Sequence, residues 1–251
     1  MRFKDTSKLS QEISTLLEGI NQLPKVNCSQ CGTTYRGEEE NFICTNCKEE
    51  EQKRVEEEIK RSYQIQRLFN LSNIPKRYKR AIFQPKTEIQ KRVAQYFIEN
   101  FTQKGLFGAK ASDSIVSTDI LLFGAIGTGK TYISCAFALE LIKRDRKSVK
   151  FITEYDLLAL YFEKNYQSFK SFKECEILIL DEIGKRVLAE WQRVQLEELL
   201  SHRYNEMLPT VYITNLEQDD FRTFLGSRLA DRLRENGLKR FAFDGESLRV
   251  E

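Results

Sequence analysis

The sequence is short of histidine, of long apolar runs and of any large excess of one charge. A single histidine, His202, stands among 251 residues. One imidazole makes neither a catalytic triad nor a histidine metal centre, and His202 reads as a solvated helix residue. No apolar run approaches the ~20 residues needed to span a bilayer as a helix. The opening residues, Met1-Arg2-Phe3-Lys4-Asp5-Thr6, have no apolar signal region behind them. The expectation is a cytoplasmic protein with no membrane partner. Forty Lys and Arg face 37 Asp and Glu, a formal charge of +3. Nucleic-acid contact would therefore have to come from a local patch rather than from the global field. Internal repeats and low-complexity tracts are also missing, which excludes solenoids and fibrous arrays.

What is present begins with Gly124-Ala125-Ile126-Gly127-Thr128-Gly129-Lys130-Thr131. This stretch follows the apolar run Ile120 to Phe123 and precedes a helical pattern from Tyr132 to Lys143. Strand, glycine-rich loop, Lys-Thr and helix together form a phosphate-binding pattern in its proper context. The glycines let the backbone turn and aim its N–H groups at an anion, and the helix adds its positive dipole end. Lys130 is placed to reach the β- and γ-phosphates of ATP, and the Thr131 hydroxyl to ligate Mg²⁺.

Four of six cysteines, Cys28, Cys31, Cys44 and Cys47, form two C-x2-C knuckles separated by twelve residues. In a reducing compartment that pattern is a metal site rather than a disulfide frame. A redox dithiol is the alternative, and the doubling of the knuckle argues against it. Four thiolates close a tetrahedral Zn²⁺ completely, so the zinc is expected to be structural. Gly32 and Gly37 permit the turns, and Thr33-Thr34-Tyr35 with Asn41-Phe42-Ile43 are expected as hairpin strands. Cys135 and Cys175 lie in apolar surroundings and read as small core residues.

Upstream, Leu9, Ile13, Leu16, Leu17 and Ile20 mark one face of an amphipathic helix that Pro24 ends. Downstream, residues 48 to 69 alternate in charge, with i,i+4 pairs such as Glu49 and Lys53, and suit a solvated connecting helix. Ile74-Pro75-Lys76-Arg77-Tyr78 breaks it. Ile89, Val93, Phe97 and Phe101 give Thr87 to Lys104 a core-facing stripe, and a loop follows to Thr118. Short apolar runs at Ile120–Phe123, Val149–Thr153, Ile177–Asp181 and Val211–Thr214 read as buried parallel strands with helices between them. The fold class is therefore α/β, three layers around a parallel sheet, preceded by a small zinc-binding module. The expected divisions are residues 1–50 for the N-terminal helix and zinc module, 51–72 for a charged linker and 73–251 for the ATPase domain.

Ile177 to Leu180 is followed by Asp181-Glu182, about fifty residues beyond the phosphate loop. Asp181 can hold Mg²⁺ beside Thr131, and Glu182 can polarise a water toward the γ-phosphate. Asn215, at the end of the strand beginning at Val211, can orient that water; a turn asparagine closing a strand is its plainer reading. Arg228 and Arg232 are four apart, hence on one helix face, and either can be the arginine that one subunit presents to its neighbour's γ-phosphate. Arg249 is a further candidate contact to the phosphates.

The order of phosphate loop, Leu180-Asp181-Glu182-Ile183-Gly184, Pro209 to Asn215 and Arg228-Leu229-Ala230-Asp231-Arg232 resembles the DnaC/DnaI-type replicative helicase loaders. Those proteins are AAA+ ATPases. The likeness covers about residues 70 to 251 and includes Ile74-Pro75-Lys76-Arg77-Tyr78; the cysteine module is similar to that of DnaI-type loaders. The resemblance implies Walker A roles for Lys130 and Thr131, Walker B roles for Asp181 and Glu182, sensor 1 for Asn215, an arginine finger for Arg232 with Arg228 nearby, and sensor 2 for Arg249. Ala125-Ile126 departs from the usual proline-containing loop start. It further implies that the chain binds a hexameric replicative helicase and single-stranded DNA, and forms a homo-oligomer when ATP is bound. The DNA element would be Glu154 to Lys173, where Tyr161, Phe162, Tyr166 and Phe169 interleave with Lys164, Lys170 and Lys173. A core helix carrying Leu157, Leu158 and Tyr161 is the competing reading of that stretch. Transposition-helper ATPases of the IstB type, acting on duplex DNA, share most of these motifs. A nucleotide-switched adaptor with negligible turnover is the third reading.

Overall fold

Strands in which every residue is apolar need cover on both faces, and the sequence supplies helices enough to give it. The computed structural model describes residues 23–36, 42–101 and 119–248. The helix expected before Pro24 and the loop expected up to Thr118 lie outside those residues. Two compact units divide the chain, residues 1–63 and 64–251.

In the first unit a short antiparallel ladder joins β1 (Lys25–Asn27) to β2 (Thr34–Arg36), with Val26 opposite Tyr35. The expected pairing of Thr33–Tyr35 with Asn41–Ile43 is thus corrected. The first knuckle reverses the chain, with Gly32 N donating to Cys28 O and Cys28 N to Thr33 O, so the partner of β2 is the segment before the knuckle. Phe42 and Ile43 are not strand, and Asn41 and Gly37 lie outside the described residues. The second knuckle opens α1 (Thr45–Leu71). That helix runs unbroken through the charged stretch expected as a linker. Cys47 is its one buried residue, as a solvated charge-rich helix requires.

In the second unit α1 ends at Leu71, and Pro75 is followed by a single 3₁₀ turn, Lys76–Tyr78. Next come α2 (Glu88–Phe101), β3 (Ile120–Gly124), α3 (Lys130–Asp145), β4 (Val149–Thr153), α4 (Glu154–Phe162) and α5 (Tyr166–Glu174). These are followed by β5 (Ile177–Asp181), α6 (Glu190–Asn205), β6 (Thr210–Ile213), α7 (Gln218–Leu225), α8 (Ser227–Glu235) and β7 (Lys239–Phe243). The five long strands form one parallel sheet in the order β4-β5-β6-β3-β7. The strand predicted at Val211–Thr214 begins one residue earlier, and the fifth strand, β7, was not anticipated.

Alternation sorts the strand residues between two apolar clusters. Ile120, Leu122, Ile177, Ile179, Val211 and Ile213 pack with α2 and α3, including Phe97 stacked on Phe137 at 4.3 Å. Leu121, Leu178, Leu180 and Tyr212 pack with α4 to α8. This is the period of two expected of a sheet covered on both faces. Each fully buried Leu or Ile contributes about 1.5–3 kcal/mol relative to exposure. Cys135 and Cys175 are both buried, as expected of core residues. Among the described residues no helix is long and apolar enough to cross a membrane.

Candidate nucleotide site and cysteine centre

Parallel strands end on the same side of a sheet, and ligands gather where neighbouring connections diverge. Here β3 lies between β6 and β7, and its C-terminal end feeds the glycine-rich loop. Gly127 adopts φ +83°, and a side chain there would meet the Ser247 hydroxyl at 2.2 Å. Leu248 N donates to Gly127 O at 2.9 Å, so the chain after β7 braces the loop. Thr128 Oγ1 closes the loop on Ala125 O at 2.9 Å. Helix α3 starts at Lys130 with no side-chain cap at Gly129. Its first N–H groups therefore remain available to an anion. Lys130 Nζ lies 2.8 Å from Gly124 O and 2.7 Å from Ala125 O. Burial pulls its pKa down, while the nearby Asp181 carboxylate opposes this.

The acidic pair stands at the end of β5. Thr131 Oγ1 donates to Asp181 Oδ2 at 2.9 Å. Burial pushes the Asp181 carboxyl up, against the Glu182 amide and the Thr131 hydroxyl, which favour its charged form. Glu182 follows in the left-handed region, φ +57°, and is exposed on the cleft, ion-paired to Lys185 at 3.2 Å. Asn215 also reaches the cleft. The cavity bounded by the loop, Asp181, Glu182 and Asn215 measures about 720 Å³, within the range of ligand sites. Pro75, Tyr78 and Tyr132 form another part of its wall. Hydroxyl, carboxylate and ammonium thus converge as a magnesium-bound triphosphate requires.

Not every predicted residue is gathered there. Arg228 pairs with Glu197 at 3.5 Å, and Arg232 donates to Ser201 Oγ with its guanidinium over Tyr204. Both lie against α6, away from the cleft. Arg249 lies outside the described residues. His202 sits on α6 half-buried, rather than solvated. In the stretch named for DNA contact, Phe169 is buried in the core and is withdrawn as a stacking candidate. Lys170 pairs with Glu174, and Lys173 with Glu198. Phe162 and Tyr166 remain exposed, and Trp191 joins them, stacked on Tyr161 with ring centres 6.4 Å apart.

One residue of the cleft was missed. Gln90 is buried on α2, accepts from Lys86 N at 2.8 Å and donates to Thr128 O at 3.3 Å. It interrupts an apolar helix stripe and carries no motif, so nothing in the sequence singles it out.

The cysteine knuckles form the second centre. All four sulfurs lie within 4.8 Å of one another. Cys28 Sγ is 3.8 Å from Cys47 Sγ, and Cys31 Sγ is 3.8 Å from Cys44 Sγ. Bonds of about 2.3 Å to a tetrahedral zinc give an edge of about 3.8 Å, so the set fits. Cys44 N donates to Cys28 Sγ, and Cys47 N to Cys44 Sγ, each at 3.4 Å. The Cys44 amide is the main reason the Cys28 thiol is lowered to about 6, which favours the thiolate a metal needs.

The family model for the IstB-like ATP binding protein matches residues 60–250. The chain belongs to the IstB-like ATP-binding family. Among relatives, protein YdaV of Escherichia coli K12 is 29% identical over 212 residues, covering 80% of this chain and 81% of that protein. The replicative helicase loader DnaC of the same strain is 24% identical, covering 75% and 77%. The replicative helicase loader DnaI of Bacillus subtilis is 24% identical, covering 87% and 73%. The crystal structure of the DnaC helicase loader superposes with a TM-score of 0.53 at 24% identity, over 66% of this chain and 99% of that one. The last comparison bears on fold alone: the IstB-like domain here shares the arrangement of that structure, a five-stranded parallel sheet covered by helices.

Proposed function

We infer that this IstB-like protein is an ATP-dependent loader of a replicative DNA helicase. The observation that carries the catalytic part is the Thr131–Asp181 contact beside Lys130, in a cleft that Glu182 and Asn215 also face. Lys130 holds the β- and γ-phosphates of ATP, and the loop amides hold their oxygens. Thr131 and Asp181 are the ligands for Mg²⁺, which when bound neutralises charge developing on the phosphates. Glu182 takes a proton from the attacking water, and Asn215 fixes the direction of its approach. Arg228 and Arg232 lie away from this chain's own cleft, which suits an arginine offered to a neighbouring copy in a homo-oligomer. Arg249, outside the described residues, is proposed as a phosphate contact on the family resemblance alone.

The zinc module docks the helicase. Single-stranded DNA binds where exposed Phe162, Tyr166 and Trp191 offer stacking faces beside Lys164. The relatives named replicative helicase loaders support this reading. The family match supports a second, a transposition helper that acts on duplex DNA. ATP hydrolysis should rise when single-stranded DNA and a hexameric helicase are added, and Lys130→Ala should abolish it. Hydrolysis by Lys130→Ala at the parent rate would refute the site. Capture of a hexameric helicase favours loading; ATP-dependent filaments on duplex DNA, indifferent to helicase, favour the second reading.

A further inference from the structure

Glu154 is a carboxylic acid 3% exposed, at the junction of β4 and α4. Burying a carboxylate is costly, so its partners are informative. Its Oε2 accepts a hydrogen bond from Gly184 N at 2.8 Å, thirty residues away. Burial pushes its pKa up, and the Gly184 amide and the Arg186 charge pull it down. Its place in the first turn of α4 adds a favourable dipole.

Gly184 belongs to the turn that displays Glu182. Glu182 itself is held at φ +57° and Gly184 at φ +73°. A non-glycine residue in that region is strained by about 1 kcal/mol or more and persists only where its surroundings hold it. The three amides of the turn each have an assigned partner. Glu182 N donates to Asp181 Oδ1, Ile183 N to Ile213 O, and Gly184 N to Glu154. Thr214 Oγ1 adds a fourth tie, donating to Ile183 O at 2.7 Å. The first of these is local, and two others come from β6 and its end. The Glu154 carboxylate, accepting from a main-chain amide, ties the turn to the β4–α4 junction. Next to it, the Arg186 guanidinium lies 3.9 Å from the ring centre of Tyr155 and joins the same two segments.

We propose that Glu154 is a positioning residue for hydrolysis: by holding the Gly184 amide it fixes the strained turn that aims Glu182 at the water attacking the γ-phosphate. Glu154 is not among the residues that line the cleft, and it acts through Glu182. The role rests on the hydrolytic reading above.

Three variants of the full chain test it, with kcat and KM for ATP, nucleotide affinity and thermal melting measured on each. Glu154→Ala removes the acceptor, and Glu154→Asp keeps the charge but withdraws it by one methylene. Both should lower kcat about tenfold or more, as misplacement of a reacting group by a fraction of an ångström to 1 Å does, while KM and nucleotide affinity stay within about twofold. Glu154→Gln keeps an acceptor oxygen and should retain kcat within about threefold of the parent. Should Glu154→Ala fail to fold, the Asp and Gln pair still decides. Parent-like turnover in Glu154→Asp, or a loss of affinity matching the loss of turnover, overturns the proposal, as does a Gln variant as slow as Asp. A parent chain no faster than Lys130→Ala overturns the hydrolytic reading itself, and the role of Glu154 with it. A parent that turns over, with the Asp variant equally fast, overturns only the role of Glu154.

Discussion

Around the cysteine knuckles the buried apolar residues, among those described, are Cys28, Cys44 and Cys47, with Tyr35 and Phe42 packed beside them. In the IstB-like domain Leu121, Leu122, Leu178, Ile179, Leu180 and Ile213 are all buried in one sheet. The described part of the first region buries little apolar surface, and the second region buries it on both faces of every central strand. The two regions thus call for different sources of stability. The four cysteines of the module could hold a zinc ion, whose coordination would supply about 10 kcal/mol or more. Burial fixes the domain, and the nucleotide site is a by-product of where its parallel strands end.

Metal removal should separate the regions most sharply. A strong chelator at neutral pH should abolish hydrogen-exchange protection of the Gly32, Cys44, Cys47 and Lys48 amides, leaving β3, β5 and β6 protected. Protection surviving at those amides without metal would put the two regions on the same footing.

The converse perturbation comes next in size. Phe97 is fully buried and stacked on Phe137. Phe97→Ala should cost about 3–5 kcal/mol of domain stability in a urea titration, with the zinc content unchanged by elemental analysis.

Acid should move the two regions in opposite directions. Asp119 is buried, and its carboxyl is pushed up to about 6 from 3.8 by burial, despite hydrogen bonds from Asn236 and Thr210. The folded state therefore holds this proton more tightly than the unfolded one. Between pH 4 and 6 it binds more protons than the unfolded state, so this group's contribution to stability falls as pH rises through that window and is level above it. Lowering the pH from 6 to 4 should add stability to the domain through Asp119, and Asp119→Asn should remove that component. Over the same range the module should release metal as its thiolates protonate. Denaturation midpoints and bound zinc, followed together across pH, check both signs. The smallest effect is expected on the exposed face of α1. Arg54 and Glu51 pair at 3.4 Å with both side chains more than half exposed, and Arg54→Ala should change urea stability by less than about 0.5 kcal/mol.

The parts of the fold legible beforehand are those whose cause is local. Ile177 to Leu180 is apolar at every position, so a buried strand follows directly, and the phosphate loop is a pattern in which each residue type has a backbone or charge reason. Lys239-Arg240-Phe241-Ala242-Phe243 was missed because β7 pairs only with β3 at the edge of the sheet. Only Phe241 and Phe243 are buried there, and two leading cations disguise the alternation. Arg203 is 1% exposed, donating to Thr210 Oγ1 and to the carbonyls of Cys175 and Pro209. In the sequence it is one more charged residue on a helix, because its partners come from segments that only the fold brings near. Glu154 and Gln90 escaped for the same reason. Both act through main-chain groups of the loops around the cleft, and main-chain groups leave no mark on side-chain pattern. The hairpin was misplaced because the first knuckle reverses the chain, so β2 pairs with the segment before Cys28 rather than with the one before Cys44.

The account stands on a triphosphate seated at the start of α3. A crystal grown with a slowly hydrolysed ATP analogue and Mg²⁺ tests it most directly. The expected density has the β- and γ-phosphates within reach of Lys130 Nζ, and a metal shared by Thr131 Oγ1 and the Asp181 carboxylate. Nucleotide bound elsewhere on the chain, with the Thr131–Asp181 hydrogen bond intact and no metal between them, would contradict it.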